Sequence, residues 1–290
     1  MDQPISPAQV LSIQSHVSYG HVGNAAAVFT LQRLGIEAWP INTVHFSNHT
    51  GYDGWRGTRA TAQEVADLIL GVSERGLLSR LDAVLSGYLG SAAIAEVVGD
   101  TVASARSANP QVSYCLDPVI GAAGRGLYAA PDTAAAIKHI LVPAADIITP
   151  NQFELEFLTD HNTNTTGDLL AAADDLRGRG PRVVLITSVH TEDTPPGEVD
   201  VYCVTDEATW RVRTPKRAIA VGGTGDVAAA LFLGHLLGGA SAPESLTKSI
   251  ESVFDLLTHT EAVGGDELLL VAAQHCITSA TKRFVAKQVR

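Results

Sequence analysis

The sequence predicts an α/β protein whose central sheet is mostly parallel and is covered by helices on both faces. Short runs of β-branched and apolar residues alternate with longer runs rich in Ala and Leu, a pattern typical of strand–helix–strand units. Several of the short runs are apolar at every position, as expected for strands buried on both faces. Of the 290 residues, 46% are hydrophobic and 18% are charged, so the chain has enough apolar material for a large core.

Six strands and five helices are predicted in the first two thirds of the chain. The strands cover residues 10–13, 38–44, 82–85, 112–116, 146–148 and 183–187. The helices cover residues 24–34, 62–72, 92–105, 133–141 and 166–176. An exposed loop is predicted over residues 193–198, and an antiparallel hairpin over residues 199–204 and 209–212. The chain after Gly225 is predicted to be helical. No linker, charge block or repeat divides the chain, so we expect one domain over residues 9–290 after a flexible N-terminus of residues 1–8.

The net charge excludes some classes of partner. The chain has 20 basic and 31 acidic residues, a net charge of −11, and no cluster of Lys and Arg. Binding to nucleic acid or to an anionic membrane is therefore not expected. The three cysteines have no CxxC spacing, the first residues do not resemble a signal peptide, and no apolar run is long enough to span a membrane. We expect a cytoplasmic protein.

Polar or Gly-rich residues follow all six predicted strands. In parallel sheets ligands bind at the carboxyl ends of the strands, so these residues are candidates for a binding site. They are Ser15, 46–51, 86–88, Asp117, 149–151 and 187–188.

The segment Gly222–Asp226 carries the clearest chemical signal. Glycines followed by the apolar helix of residues 227–233 predict a turn whose N–H groups form an anion hole at a helix start. Asp226 in the first turn has two interpretations at this stage. It either stabilises the helix N-terminus or accepts the proton of an alcohol that receives a phosphoryl group.

Two further acidic residues suit a metal–nucleotide complex. Asp117 follows a buried strand and Glu154 lies on a predicted turn that begins at Thr149, and one or two carboxylates suffice to hold Mg²⁺ on a phosphate chain. Taken singly, Asp117 is equally explained as a turn residue before a proline and Glu154 as a solvated helix residue. The chain has neither a P-loop nor a GxGxxG motif, and its paired histidines lack the context of a zinc site.

Six motifs in chain order resemble the pyridoxal kinases of the ribokinase-like superfamily. They are the runs 14–24 (QSHVSYGHVGN), 46–52 (FSNHTGY), 86–90 (SGYLG), 117–119 (DPV), 147–154 (IITPNQFE) and 223–226 (GTGD). The resemblance covers residues 11–274 and implies a ribokinase-like fold, ATP and a vitamin B6 vitamer as substrates, Mg²⁺, a monovalent cation (K⁺ or Na⁺) and a homodimer.

The resemblance also implies a role for each matching residue. Asp226 corresponds to the catalytic base and Gly223, Thr224 and Gly225 to the anion hole. The residues that correspond to the vitamer site are Ser15, Phe46, Thr50, Gly51, Tyr88 and Asp226. Those on the ATP side are Asp117, Thr149, Asn151, Glu154, Thr187, Ser188, Thr224, Gly225 and the lid residues Thr214, Pro215, Lys216 and Arg217. Asp117 and Glu154 correspond to the magnesium-associated pair.

Two alternatives remain open at this stage. A hydroxymethylpyrimidine kinase shares the same chemistry on a different ring, and residues 45–52 together with Ser15 favour a pyridine. A non-catalytic vitamin B6 carrier is the alternative from another class. The intact segment Gly223–Asp226, which binding alone does not require, argues against it.

Overall fold

A computed structural model of the protein describes residues 7–290, so residues 1–6 of the predicted flexible N-terminus lie outside the described part. The strands are β1 (Gln9–Val17), β2 (Glu37–Phe46), β3 (Gly57–Arg59), β4 (Ala83–Ser86), β5 (Ser113–Leu116), β6 (Gly121–Ala122), β7 (Gly126–Leu127), β8 (Ile147–Ile148), β9 (Val183–Val189), β10 (Glu198–Val204), β11 (Thr209–Pro215) and β12 (Lys287–Gln288). The helices are α1 (Asn24–Arg33), α2 (Ala62–Glu74), α3 (Ala92–Ala108), α4 (Pro131–Ala136), α5 (Val142–Ala144), α6 (Gln152–Thr159), α7 (Thr166–Gly178), α8 (Thr224–Leu237), α9 (Ala242–Ala262) and α10 (His275–Thr278). A 3₁₀ turn (Leu77–Arg80) and a π-helical turn (Ile137–Leu141) complete the regular structure of the described residues.

Ten strands form one sheet in the order β12-β11-β10-β9-β8-β5-β4-β1-β2-β3. The six strands β2, β1, β4, β5, β8 and β9 pair in parallel, so their carboxyl ends meet at one edge. Strands β10, β11, β12 and β3 are antiparallel additions at the two sides. The predicted α/β class with a mostly parallel sheet is confirmed.

Helices cover both faces of this sheet, because alternate residues of each strand point to opposite faces. On one face, Leu11 and Ile13 pack in the core cluster that includes Val65 of α2 and Ile94 of α3. On the other face, Val10 packs with residues of α1, α8 and α9, among them Leu31, Phe232 and Leu246. Helix α8 is buried from Val227 to Gly234 because it packs against α1 and α9 and its apolar residues join the core clusters on this face.

The predicted elements of the first two thirds of the chain and the hairpin β10–β11 are present, with ends that differ by a few residues. Two expectations were wrong, and three short strands were missed. Glu154 lies in the first turn of α6 and not on a turn, because Asn151 caps that helix. The chain after Gly225 is not helical throughout, since β12 pairs with β11. The short strands β3, β6 and β7 were not predicted, because strands of two or three residues form through pairing and carry too short a pattern of their own.

No helix among the described residues combines the length and the apolar character needed to cross a bilayer. One domain over residues 9–290 stays a prediction.

Candidate active site

The loop before α8 has a geometry that only glycine at position 223 allows. Gly223 has a φ of +85°, and a Cβ atom there would lie 1.7 Å from the carbonyl oxygen of His21. This close approach fixes the loop against the turn between β1 and α1. No side chain caps the start of α8, so N–H groups of its first turn are available to an anion.

Asp226 lies in the first turn of α8 and is partly exposed. Burial raises the pKa of its carboxyl to about 6, although hydrogen bonds from the backbone N–H groups of Gly23 and of Asp226 itself oppose this rise. The first turn of α8 therefore presents a carboxylate that can accept a proton near neutral pH beside N–H groups that can bind an anion.

Asp117 and Glu154 lie near Asp226 at the ends of β5 and at the start of α6, with 5% and 3% of their surfaces exposed. Burial raises the pKa of Asp117 well above its ordinary value, and the charges of Glu154 and Asp226 raise it further. Burial also raises the pKa of Glu154, to about 7. Within residues 7–290, no Lys or Arg forms an ion pair with any of the three carboxylates.

Backbone N–H groups hold the carboxylate of Glu154 in place. Its Oε1 accepts hydrogen bonds from the N–H groups of Ile120 (2.8 Å) and Gly121 (3.3 Å), and its Oε2 accepts one from Asn151 (2.9 Å). Val119 has a φ of +44°, which is rare for a β-branched residue. This strained residue turns the chain after Asp117 so that the next two N–H groups point at Glu154.

The other predicted ATP-side residues surround these carboxylates. Thr149 donates its hydroxyl to Asp117 Oδ1 at 3.2 Å. Asn151 donates from its side chain to the carbonyl of Gly121 at 2.8 Å and pairs with Thr187 across a β-bridge. Ser188 is exposed and has a φ of +55°. The structure therefore brings Asp117, Thr149, Asn151, Glu154 and Thr187 together at the carboxyl edge of β5, β8 and β9.

The predicted lid residues are at the end of β11. Thr214 and Pro215 belong to that strand, and the N–H of Lys216 donates to the carbonyl of Gly197 at 2.8 Å. The guanidinium of Arg217 pairs with Glu261 and lies 5.4 Å from the ring centre of Phe254. The charge of Arg217 is therefore paired with Glu261 and not with Asp117, Glu154 or Asp226.

The predicted vitamer-side residues lie on the other side of the α8 loop. Ser15 is buried, and a Cβ atom at Gly23 would lie 2.3 Å from its Oγ, so Ser15 and Asp226 flank the same glycine. The ring of Phe46 is 4.1 Å from that of Trp55. Tyr88 is half-buried and accepts a hydrogen bond from Thr43 at its carbonyl.

Thr50 and Gly51 are exposed and follow His49, whose ring lies against Gly222. A Cβ atom at Gly222 would lie 3.2 Å from His49 Cδ2. The loop after β2 therefore contacts the anion-hole loop directly, and the two predicted halves of the site are adjacent.

Sequence reasoning missed the N–H of Gly23 as a partner of Asp226 and the carboxylate of Glu267, which contacts Tyr52, His49 and His21. The run His21–Asn24 carried a signal for Gly23, since a glycine there precedes the start of α1. No local pattern marks Glu267, whose partners are more than 200 residues away in the chain.

The paired histidines near residues 16–21 and 45–49 form no metal cluster in the described part; the one compact His/Cys group found there is His259, His275 and Cys276.

Comparison with known proteins identifies the family. The sequence model of the phosphomethylpyrimidine kinase family matches residues 23–269. A pyridoxal kinase PdxY of Rubrobacter xylanophilus is 48% identical over 281 residues, 97% of both chains. A structure of pyridoxal kinase from Leishmania donovani, in complex with ADP and pyridoxamine, superposes with a TM-score of 0.89 at 29% identity over 97% of this chain and 99% of the other.

A putative phosphomethylpyrimidine kinase from Bacteroides thetaiotaomicron also superposes, with a TM-score of 0.90 at 25% identity over the full length of both chains. The extent and identity of these matches agree with the fold and with the motifs at the strand ends. The chain belongs to the phosphomethylpyrimidine kinase family and, within it, groups with the pyridoxal kinases.

Proposed function

We propose that the protein transfers the γ-phosphoryl group of ATP to the 5′-hydroxymethyl group of pyridoxal, and also of pyridoxine and pyridoxamine. The observation that carries the proposal is the pairing of Asp226 with the uncapped N-terminus of α8. The near-full-length identity with relatives named pyridoxal kinase supports the choice of substrate.

The reaction assigns a separate task to each part of the site. Asp226 accepts the proton of the 5′-hydroxyl as that oxygen attacks the γ-phosphorus, and the bond from phosphorus to the β–γ bridging oxygen breaks to release ADP. The N–H groups of Gly223, Thr224 and Gly225 stabilise charge on the transferred phosphoryl group. Ser15, Phe46, Thr50, Gly51 and Tyr88 hold the ring so that the hydroxymethyl group faces Asp226.

The ATP side is built for a nucleotide that arrives with Mg²⁺. Asp117 and Glu154 fit a divalent cation because both are buried, both have raised pKa values, and neither pairs with a Lys or Arg side chain among residues 7–290. Bound Mg²⁺ offsets negative charge on the phosphate oxygens. The carboxylate of Glu154 already accepts three backbone hydrogen bonds, so few of its lone pairs are free to bind Mg²⁺ directly. We therefore assign Asp117 as the direct ligand and Glu154 as a ligand that binds through water.

The remaining ATP contacts are assigned to residues around this pair. We assign Thr149, Asn151, Thr187, Ser188, Thr224, Gly225 and the lid residues Thr214–Arg217 to the nucleotide, with K⁺ or Na⁺ as the monovalent cation. We also infer a homodimer. The three free cysteines are buried, which suits a reducing compartment, and we infer a cytoplasmic location.

One experiment tests the function and its closest alternative together. ADP release is measured with pyridoxal, pyridoxine, pyridoxamine and hydroxymethylpyrimidine, with K⁺ or Na⁺ present. We expect the highest kcat/KM with a vitamin B6 vitamer. Faster turnover of hydroxymethylpyrimidine would contradict the proposal and favour a hydroxymethylpyrimidine kinase. Binding of pyridoxal without ADP release would instead indicate a carrier.

A further inference from the structure

The carboxylate of Glu267 connects two loops at the proposed vitamer site. Its Oε1 accepts the hydroxyl of Tyr52 at 2.6 Å and lies 3.2 Å from Nε2 of His49. Its Oε2 accepts the backbone N–H of His21 at 3.3 Å. The side chain is 11% exposed, so these contacts are shielded from solvent. One carboxylate from the C-terminal region thus binds loop 18–23, after β1, and loop 47–53, after β2.

The packing around this carboxylate is close. Gly20 has a φ of +90°, and a Cβ atom there would lie 2.4 Å from Glu267 Oε2. A side chain at position 20 would therefore be strained by the positive φ and would displace the carboxylate from the N–H of His21. The hydrogen bond to Glu267 raises the pKa of Tyr52 far above its ordinary value, which keeps the phenol protonated as the donor.

Both loops also contact the anion-hole loop. The carbonyl of His21 lies against Gly223, and the ring of His49 lies against Gly222. Thr50 and Gly51, assigned above to the ring substrate, follow His49 directly. A shift of either loop away from Glu267 would therefore move the vitamer contacts relative to Asp226.

We propose that Glu267 is a positioning residue that holds loops 18–23 and 47–53 against the segment Gly222–Asp226, in the arrangement that binds the vitamer. This inference rests on the proposed function. The proposal assigns Glu267 no direct contact with either reactant. Glu267 acts through the hydroxyl of Tyr52 and the N–H of His21, which both donate to the carboxylate, and through the ring of His49, whose Nε2 lies 3.2 Å from Oε1.

Steady-state kinetics of Glu267→Ala, Glu267→Gln, Tyr52→Phe and the double variant Tyr52→Phe/Glu267→Ala test the proposal. We expect Glu267→Ala to raise KM for pyridoxal by about tenfold or more, with KM for Mg-ATP changed by less than about twofold. Glu267→Gln keeps an acceptor for Tyr52, so its KM for pyridoxal should lie between the values of Glu267→Ala and the wild type. The KM of the double variant for pyridoxal should be no higher than that of Glu267→Ala, since the Tyr52 contact is already lost in the single variant. Equal rises in both KM values, or additive effects, would overturn the proposal.

A glycine pair gives a matched control from the other side of the contact. Gly20→Ala places a methyl group on the carboxylate, while Gly35→Ala introduces a side chain at a similar φ of +80° with nothing within 4 Å. We expect Gly20→Ala to reproduce the rise in KM for pyridoxal and Gly35→Ala to leave both KM values unchanged. Equal effects of the two variants would show that backbone strain alone is responsible.

Hydrogen exchange of the ligand-free protein separates this inference from the proposed function. Glu267→Ala should increase amide exchange by about tenfold or more in residues 49–52 and leave exchange in β5 unchanged. This readout needs no turnover, so it remains decisive even if the wild type phosphorylates no vitamer. Unchanged exchange in residues 49–52 would refute the positioning role whatever the substrate is.

Discussion

The substitution Asp226→Asn should inactivate the protein and at the same time stabilise it. Burial raises the pKa of Asp226 from 3.8 to about 6, so ionising this carboxyl costs about 3 kcal/mol more in the folded protein than in the unfolded chain. The unfolded chain loses this proton near pH 4 and the folded protein near pH 6. Stability therefore falls as the pH rises from about 4 to about 6, and the full cost is present above that range.

The amide of Asn removes this cost because it does not ionise. It also gives a weaker acceptor for the N–H of Gly23, which offsets about 1 kcal/mol of the gain. We therefore expect the free energy of unfolding at pH 8 to rise by about 2 kcal/mol, or Tm by about 4 °C. At pH 4 the gain should disappear.

Activity should move in the opposite direction. Without the proton acceptor, kcat for ADP release should fall by about 10²- to 10⁴-fold, while Mg-ATP still binds. The assays are thermal denaturation at pH 4 and pH 8 without ligands and a coupled ADP-release assay at pH 8. Near-full activity of Asp226→Asn would refute the role of base. A loss of stability at pH 8 would refute the account of its raised pKa.

Three further predictions concern the rest of the site. Glu154→Gln should lower the free energy of unfolding by about 1 to 3 kcal/mol in urea denaturation at pH 4, where the raised pKa keeps the Glu154 carboxyl protonated and no ionisation cost is removed, because its NH₂ group would face backbone donors; an unchanged value at that pH would mean that these hydrogen bonds contribute nothing. Gly223→Ala should abolish ADP release, since its Cβ would collide with His21, whereas Gly239→Ala, with a similar φ of +83° and open space around it, should keep activity; matching activities would contradict the required close approach. Calorimetry should show ATP binding at least about tenfold tighter with Mg²⁺ than with EDTA. Tight binding of metal-free ATP would contradict the inference that nucleotide binding at these carboxylates needs Mg²⁺.

The sheet was predictable from the sequence because its central strands are apolar on both faces and alternate with helices. Strand β12 was not, since Lys287 and Gln288 are exposed and form a strand only by pairing with Arg211 and Trp210. Helix α6 does have a local sequence signal. Asn151 and Glu154 have the spacing of a capping box, and both of its hydrogen bonds are present.

The candidate site was predictable to the extent that its residues lie near the carboxyl ends of strands; Asp117 and Thr149 follow β5 and β8, whereas Thr187 lies within β9. Asp117, Thr149 and Thr187 meet because parallel strands end at one edge, which the order of the chain already implies. The contacts of Glu154 with Ile120 and Gly121 depend on the positive φ of Val119. No local pattern predicts that conformation, because β-branched residues disfavour it and only the surrounding structure enforces it.

The charge of the site explains why a net charge of −11 is compatible with a triphosphate substrate. Asp117, Glu154 and Asp226 lie close enough for Asp117 to experience the charges of the other two. Among the described residues, no cationic side chain pairs with them, and Arg217 is already paired with Glu261. The positive end of α8 supplies only about half an elementary charge. A triphosphate that approached without a cation would meet net repulsion at this edge of the sheet. In the proposed reaction, metal bound to the nucleotide would reverse the sign of the interaction with Asp117 and Glu154, so the same carboxylates that would repel free ATP would attract its magnesium complex.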